Sequence, residues 1–166
     1  MNTVHLARIS AGDQAEFLAA VARSAKLHRP WVAAPETAEA FRALVKRSRD
    51  PVNACFLLRH SETGALVGVF NISNIVRGGF QSAYLGYYVF AGHERQGLMR
   101  QGMELLVRTA FRELKLHRLE ANIQPGNAAS IALARSCGFQ QEGFSPRYLK
   151  IQGRWRDHER WAIVAR

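Results

Sequence analysis

An α/β (α+β) fold, one sheet with helices on its faces, follows from three features of the sequence. Strand-like segments come first, at 53–59 and 66–73. A strand–helix–strand–helix–strand run fills the middle, and two strands meeting at Gln152-Gly153 close the chain. At 166 residues, 48% of them hydrophobic, the chain suits one domain over 1–166 with a sizeable core.

The elements follow in order. Ser10-Ala-Gly-Asp13 reads as a capping box, in which a hydroxyl and a carboxylate each bind the other end's backbone N–H. It opens a helix over 11–24 that turns Phe17, Leu18 and Val21 inward. Residues 26–36 carry two prolines and Trp31 and read as a structured loop. A helix over 37–48 buries Phe41, Leu44 and Val45, and the strands 53–59 and 66–73 turn at Thr63-Gly64. An aromatic-rich strand is expected at 80–90. From Gly97 onward, Leu98, Gly102, Leu105, Leu106, Thr109, Ala110 and Leu114 recur near the helical period. Residues 118–124 alternate as a strand until Pro125-Gly126-Asn127 stops them. Asn127 caps a helix to Ser136, which Gly138 ends, and 139–151 and 154–164 are the last strands. A helix between strands 80–90 and 118–124 requires that pair to run parallel.

Lys and Arg number 23 against 13 acidic residues, for a net charge of +10. Such an excess favours polyanionic partners: a phosphorylated cofactor, nucleic acid or a ribosomal surface. The basic residues are scattered, so charge alone selects none of these. The longest apolar runs are strand-sized, far below the roughly 18–20 residues of a membrane span. MNTVHLARISAGD lacks a signal-peptide pattern, so a cytoplasmic protein without a membrane partner is expected. Cys55 and Cys137 suit a reducing compartment, and no His, Asp or Glu spacing suggests a metal.

The most informative stretch is Ala91-Gly-His-Glu-Arg-Gln-Gly-Leu-Met-Arg-Gln-Gly102, which links a strand directly to a helix. Small residues before a helix leave backbone N–H groups pointing outward, and with the helix dipole they suit a pyrophosphate. Arg95 and Arg100 add charge at the rim. The loop lacks the lysine of a P-loop, and no acidic ribose ligand follows about 20 residues on, so both nucleotide-binding alternatives weaken.

Within this stretch, Glu94-Arg-Gln-Gly97-Leu-Met99 resembles the coenzyme A pyrophosphate motif of the GNAT superfamily, Q/R-x-x-G-x-G/A. Glu94 departs from the usual Gln or Arg, and Met99 from the usual small residue. Leu116-His-Arg-Leu-Glu-Ala-Asn122, Asn127-Ala-Ala-Ser130, Cys137-Gly-Phe139 and Glu142-Gly143 are similar to the ribosomal-protein (alanine/serine) N-terminal acetyltransferase branch. The tail Tyr148-Leu-Lys-Ile-Gln-Gly-Arg-Trp155-Arg-Asp157-His158 is the most specific marker of that branch. The resemblance is weak over 1–50 and strong over 84–158.

That resemblance implies the GNAT fold: a mixed, mostly antiparallel sheet of about 6–7 strands with about 4 helices. It implies acetyl-CoA as cosubstrate, with Arg95, Gln96, Gly97, Leu98, Met99 and Arg100 holding the pyrophosphate through their backbone. Asn127 would bond the pantetheine arm, or serve as a helix cap alone. Ser130 would assist, or bond only the local backbone. Backbone N–H groups around Val89 and Phe90 would stabilise the oxyanion, and attack by the amine would be direct, leaving neither cysteine a chemical role. His28-Arg-Pro-Trp31 is similar to a loop lining the acceptor pocket, and Tyr148 either packs or touches substrate.

The proton acceptor is less determined. In a related branch a catalytic Glu stands where this chain has Asn122, and a catalytic Tyr where it has Ala134. The two-residue strand period places Glu120, Asn122 and Gln124 on one polar face. Glu120 is therefore the candidate base through water, and its competing role is a carboxylate paired with an arginine. Trp155, Asp157 and His158 read first as fixtures of the final hairpin. Two function classes remain: an N-acetyltransferase, monomeric or homodimeric, and a non-catalytic basic RNA- or ribosome-binding module. For the enzyme the acceptor is a primary amine, foremost the α-amino group of a ribosomal protein. The rival acceptor is a small-molecule amine such as an amino acid, polyamine or antibiotic.

Overall fold

A computed structural model describes residues 3–166. Seven strands form one sheet in the order β1-β2-β3-β4-β5-β7-β6. They are β1 Val4–Arg8, β2 Ala54–His60, β3 Leu66–Val76, β4 Ser82–Val89, β5 Arg118–Ile123, β6 Gln140–Ile151 and β7 Arg154–Val164. Five helices accompany them: α1 Gln14–Arg23, α2 Ala25–His28, α3 Ala38–Ser48, α4 Leu98–Arg112 and α5 Ala128–Ser136. Every neighbouring pair is antiparallel except β4 and β5, which run parallel as the strand–helix–strand connection requires.

The sequence expectations hold for most elements and fail at three places. β1 was not anticipated: only Val4 of its five residues is buried, so no alternation marks it, and it forms the sheet edge against β2. Within the expected loop, Ala25–His28 closes one helical turn that continues α1. β3 runs on to Val76, because an irregularity between Ser73 and Val76, with Asn74 in the left-handed region at φ 53°, lets pairing resume. The capping box is present, with Ser10 N–H donating to Asp13 Oδ2 at 2.8 Å, but it opens a 3-10 turn before α1. Thr37 caps α3 by accepting from Ala40 N–H at 3.1 Å.

Two apolar layers sandwich the sheet. Met103, Leu106 and Ala110 of α4 and Ala134 of α5 pack on Leu58, Phe70, Leu119, Ala121 and Ile123. Gly102 permits this contact, since a Cβ there would fall 2.6 Å from Leu58 and 2.9 Å from Phe70. On the opposite face, Phe17 and Val21 of α1 and Phe41 and Val45 of α3 pack on Cys55, Leu57, Val69 and Phe90. This second layer draws its strand residues from β2, β3 and the end of β4 alone. The same face of β5, carrying Glu120 and Asn122, therefore stays outside it.

One irregularity positions the site. β4 and β5 pair only through Ser82–Tyr84 and Arg118–Glu120, and beyond that they part. The wedge between them opens toward the N-terminus of α4.

Candidate active site

A cavity of about 900 Å³ follows this wedge from the turn before α4 to Trp31 and His158. At its α4 end, Gly92, Arg95 and Gly97 all have left-handed φ values, 95°, 59° and 74°. The turn is tied by its own side chains. Glu94 Oε2 accepts from Gly92 N–H at 2.6 Å, and Gln96 Nε2 donates to the Gly92 carbonyl at 2.9 Å. Glu94's own N–H, against desolvation, and then those of Gly92 and His93 hold its carboxyl below the usual range. Glu94 thus shapes the loop at a position where the motif has Gln or Arg. Its charge is spent on backbone donors.

The helical ladder of α4 starts with Gln101 N–H on the Gly97 carbonyl at 3.2 Å. The preceding N–H groups of Leu98, Met99 and Arg100 have no intrahelical acceptor and lie at the cavity, an anion-binding arrangement. The guanidinium of Arg100 leans on Glu104 at 3.3 Å, an exposed pair of little energetic weight. Met99 is accommodated by β3: a Cβ on Gly68 would fall 2.7 Å from its sulfur. The bulk gained at Met99 is offset by bulk absent at Gly68, a pairing across 31 residues of chain that local motif reading does not reach.

Along the wedge, Phe90 N–H donates to the Val67 carbonyl at 2.8 Å, and the Phe90 ring is fully buried. Alternation in an antiparallel ladder then turns Val89 N–H away from β3, toward the gap where β5 has departed. Of the two N–H groups expected for the oxyanion, only that of Val89 faces the cavity. The Val89 carbonyl, which shares that direction, accepts from His28 Nε2 at 2.6 Å. Burial holds the His28 imidazole below its usual pKa, against the opposing Val89 bond. His28 therefore partners the strand edge that β5 abandons, a role its sequence neighbourhood does not advertise.

The far wall is α5. Asn127 caps it, accepting from Ser130 N–H at 3.3 Å, and also lines the cavity. Ser130 Oγ donates to the Tyr87 oxygen at 2.9 Å while the Tyr87 hydroxyl donates to the Ser130 carbonyl at 3.0 Å. Burial pushes the Tyr87 phenol up to about 12. Tyr87 was legible only as one aromatic of a strand, because its partner lies 43 residues away.

At the other end, Trp31 stands on the wall, its ring 3.3 Å from where a Cβ of Gly126 would be, so a larger residue there would press on the ring. Asn122 lines the cavity with Oδ1 buried and unpartnered among the described residues. Glu120 does not join them. Its carboxylate accepts from Arg118 Nε at 2.8 Å, and Arg118 also holds Glu142 at 2.6 Å. Tyr148 stands behind the wall, its ring 6.3 Å from that of His158. Its hydrogen bond with Tyr84, then desolvation and the nearby Tyr148 and Glu120, raise the Tyr84 phenol.

This geometry has counterparts among known proteins. The acetyltransferase (GNAT) domain model matches residues 3–140. The chain is 39% identical over 99 residues to a probable N-acetyltransferase, YjcK, of Bacillus subtilis, covering 60% of this chain and 55% of that protein. It is 41% identical over 99 residues to the [ribosomal protein uS5]-alanine N-acetyltransferase of Escherichia coli K12, covering 60% of this chain and 51% of that one. The aligned part of the chain thus spans about half the length of these curated relatives. Among solved structures, Mycobacterium smegmatis RimJ in complex with CoA-disulfide superposes with a TM-score of 0.90 at 26% identity, covering 98% and 82% of the two chains. The wedge between β4 and β5, the donors at the head of α4 and a family match over most of the sequence agree: the chain belongs to the GNAT acetyltransferase family.

Proposed function

We propose that this protein is an acetyl-CoA-dependent N-acetyltransferase whose acceptor is the α-amino group of a protein, foremost a ribosomal protein. The observation that carries the reading is the continuity of the cavity. It joins free N–H donors at the head of α4 to the open backbone edge of β4 and ends at Trp31. A nucleotide-linked thioester has this anatomy, with an anionic head, an amide-bearing arm and a reactive end. The residues fit it: Leu98, Met99 and Arg100 offer N–H groups to the pyrophosphate, and Asn127 stands beside the arm. Val89 N–H is free for the carbonyl oxygen that gains charge during attack. The thioester supplies an activated acetyl carbonyl. The chain binds it, orients it and screens it from water.

The acceptor class rests on the named activity of the Escherichia coli relative and on the fold shared with Mycobacterium smegmatis RimJ. Spermidine N-acetyltransferase of Vibrio cholerae shares the fold at 19% identity, with a TM-score of 0.84. A net charge of +10 works against a polycationic acceptor and suits a ribosomal surface. The deciding experiment measures CoA release from acetyl-CoA with ribosomal-protein N-terminal peptides, polyamines and free amino acids. Turnover with peptides above the other two supports the reading. Turnover with polyamines alone moves the acceptor class, and no turnover with tight RNA binding favours the binding module.

A further inference from the structure

We propose that His158 is the general base that deprotonates the acceptor amine. The inference rests on the acetyltransferase reading and goes beyond it by naming the proton acceptor. His158 lies on β7 with only 3% of its surface exposed, yet it lines the cavity at the Trp31 end. Its Nδ1 donates to the Arg156 carbonyl at 2.9 Å. A carbonyl only accepts, so Nδ1 carries a proton, which makes Nε2 the ring nitrogen left to exchange one. Nε2 has no hydrogen-bond partner among the described residues. The imidazole ring is braced edge-on by Tyr148 at 6.3 Å and an interplanar angle of 66°. An imidazole held in orientation through Nδ1, with Nε2 unpartnered and the ring lining the cavity, has the geometry of a base.

The rest of the wall supplies no equivalent. His28 lines the same cavity, but its Nε2 is engaged by Val89 and its Nδ1 is buried. The Asn122 amide is too weakly basic to take a proton. Glu120 is held by Arg118 and does not line the cavity. Burial raises the Tyr88 phenol far above neutrality in pKa. His93 and Glu94 belong to the turn that faces the anionic head of the substrate. The Trp31 end also accounts for the position of the base. Trp31 is held there by the Gly126 contact and by Gln124 Nε2, which donates to the Pro30 carbonyl at 3.4 Å. The acceptor amine enters between Trp31 and His158.

The step balances. Nε2 takes one proton from the acceptor ammonium, leaving a neutral amine. The amine nitrogen bonds to the acetyl carbon, the carbon–sulfur bond breaks, and the sulfur takes the second nitrogen proton as it departs as thiol. The imidazolium then returns its proton to solvent.

The test compares His158→Asn and His158→Ala with wild type, using acetyl-CoA and the acceptor of highest turnover. The Asn amide nitrogen takes the place of Nδ1 and keeps the bond to Arg156, while the Nε2 lone pair is gone. The expected result is unchanged acetyl-CoA affinity and melting temperature, with turnover lower by about 10²–10⁴-fold. Added imidazole should partly restore His158→Ala. The deficit should also shrink with an acceptor amine of lower basicity, which needs less help. Full turnover in folded His158→Asn overturns the proposal while leaving the acetyltransferase reading intact. So does an equal loss with every amine and no imidazole rescue. Wild type that neither binds acetyl-CoA nor releases CoA with any acceptor overturns both.

Discussion

At the scale of single residues, the site depends on backbone groups that particular side chains leave free or hold in place. Gly97 is the sharpest case, with φ 74° and open space where a Cβ would stand. Gly97→Glu would add backbone strain and bring a carboxylate to the N–H cluster proposed to receive the pyrophosphate. Acetyl-CoA affinity by calorimetry should be lost while the fold, followed by circular dichroism, persists. His28 makes a second prediction, on stability. Its folded pKa lies below the ordinary histidine value of 6.5 because burial disfavours the cation. The unfolded chain therefore binds the proton first as pH falls below 6.5, and stability drops until the lowered folded pKa is reached. His28→Leu should flatten the fall in melting temperature from neutral pH through that window. It should also lower turnover, because the Val89 carbonyl loses its donor.

At the scale of elements, the defining object is a strand pair that stops pairing. Glu120 marks the last position of β5 paired with β4, and Asn122, one pleat on, already faces the cavity. The alternation of β5 was legible because it is local: Leu119, Ala121 and Ile123 are buried and Glu120, Asn122 and Gln124 are not. The split between Glu120 and Asn122 was not legible, because strand parity cannot say where a neighbouring strand leaves. Arg118 lies two residues from Glu120 and shares its face, so the ion pair was visible as a possibility and its geometry was not. Glu120→Gln tests this at the same scale. Loss of this one partly buried ion pair should change the melting temperature by little, since Arg118 keeps Glu142. Turnover should fall far less than in His158→Asn. A drop as large as that of His158→Asn would return the base to β5.

β1, α2 and the Met99–Gly68 pairing escaped sequence reading for a related reason. β1 has too few buried residues to show a period, α2 is a single turn, and the pairing joins residues distant in sequence. What was legible, the turn before α4, the cap at Asn127 and the parallel crossover, depends on consecutive residues. The same distinction explains His158. Its hairpin was evident from the tail motif, but its place on the cavity wall depends on β7 lying beside β5, a pairing that crosses 36 residues of chain.

For the whole molecule, the +10 charge and the cavity make different demands on salt. Acetyl-CoA presents only a few phosphates, and in the proposed binding mode most of its anchoring comes from N–H groups and the α4 dipole rather than from mobile cations. Arg100 is already leaning on Glu104. Screening over a Debye length of about 10 Å at 0.1 M salt should therefore weaken cofactor binding by a few-fold at most. A long polyanion behaves differently, because each neutralised phosphate releases a counterion and the effects multiply: about 10³–10⁵-fold between 50 and 200 mM salt for 6–10 contacts. The prediction is thus a shallow slope for acetyl-CoA and a steeper one for KM toward a ribosomal acceptor presented on the intact ribosome, with kcat unchanged. The same acceptor as a free peptide should show the shallow slope. If peptide and ribosome-bound acceptor respond alike to salt, the positive charge serves solubility alone. If acetyl-CoA itself shows the steep slope, the arginines of the turn carry the cofactor, and the backbone donors at the head of α4 do not.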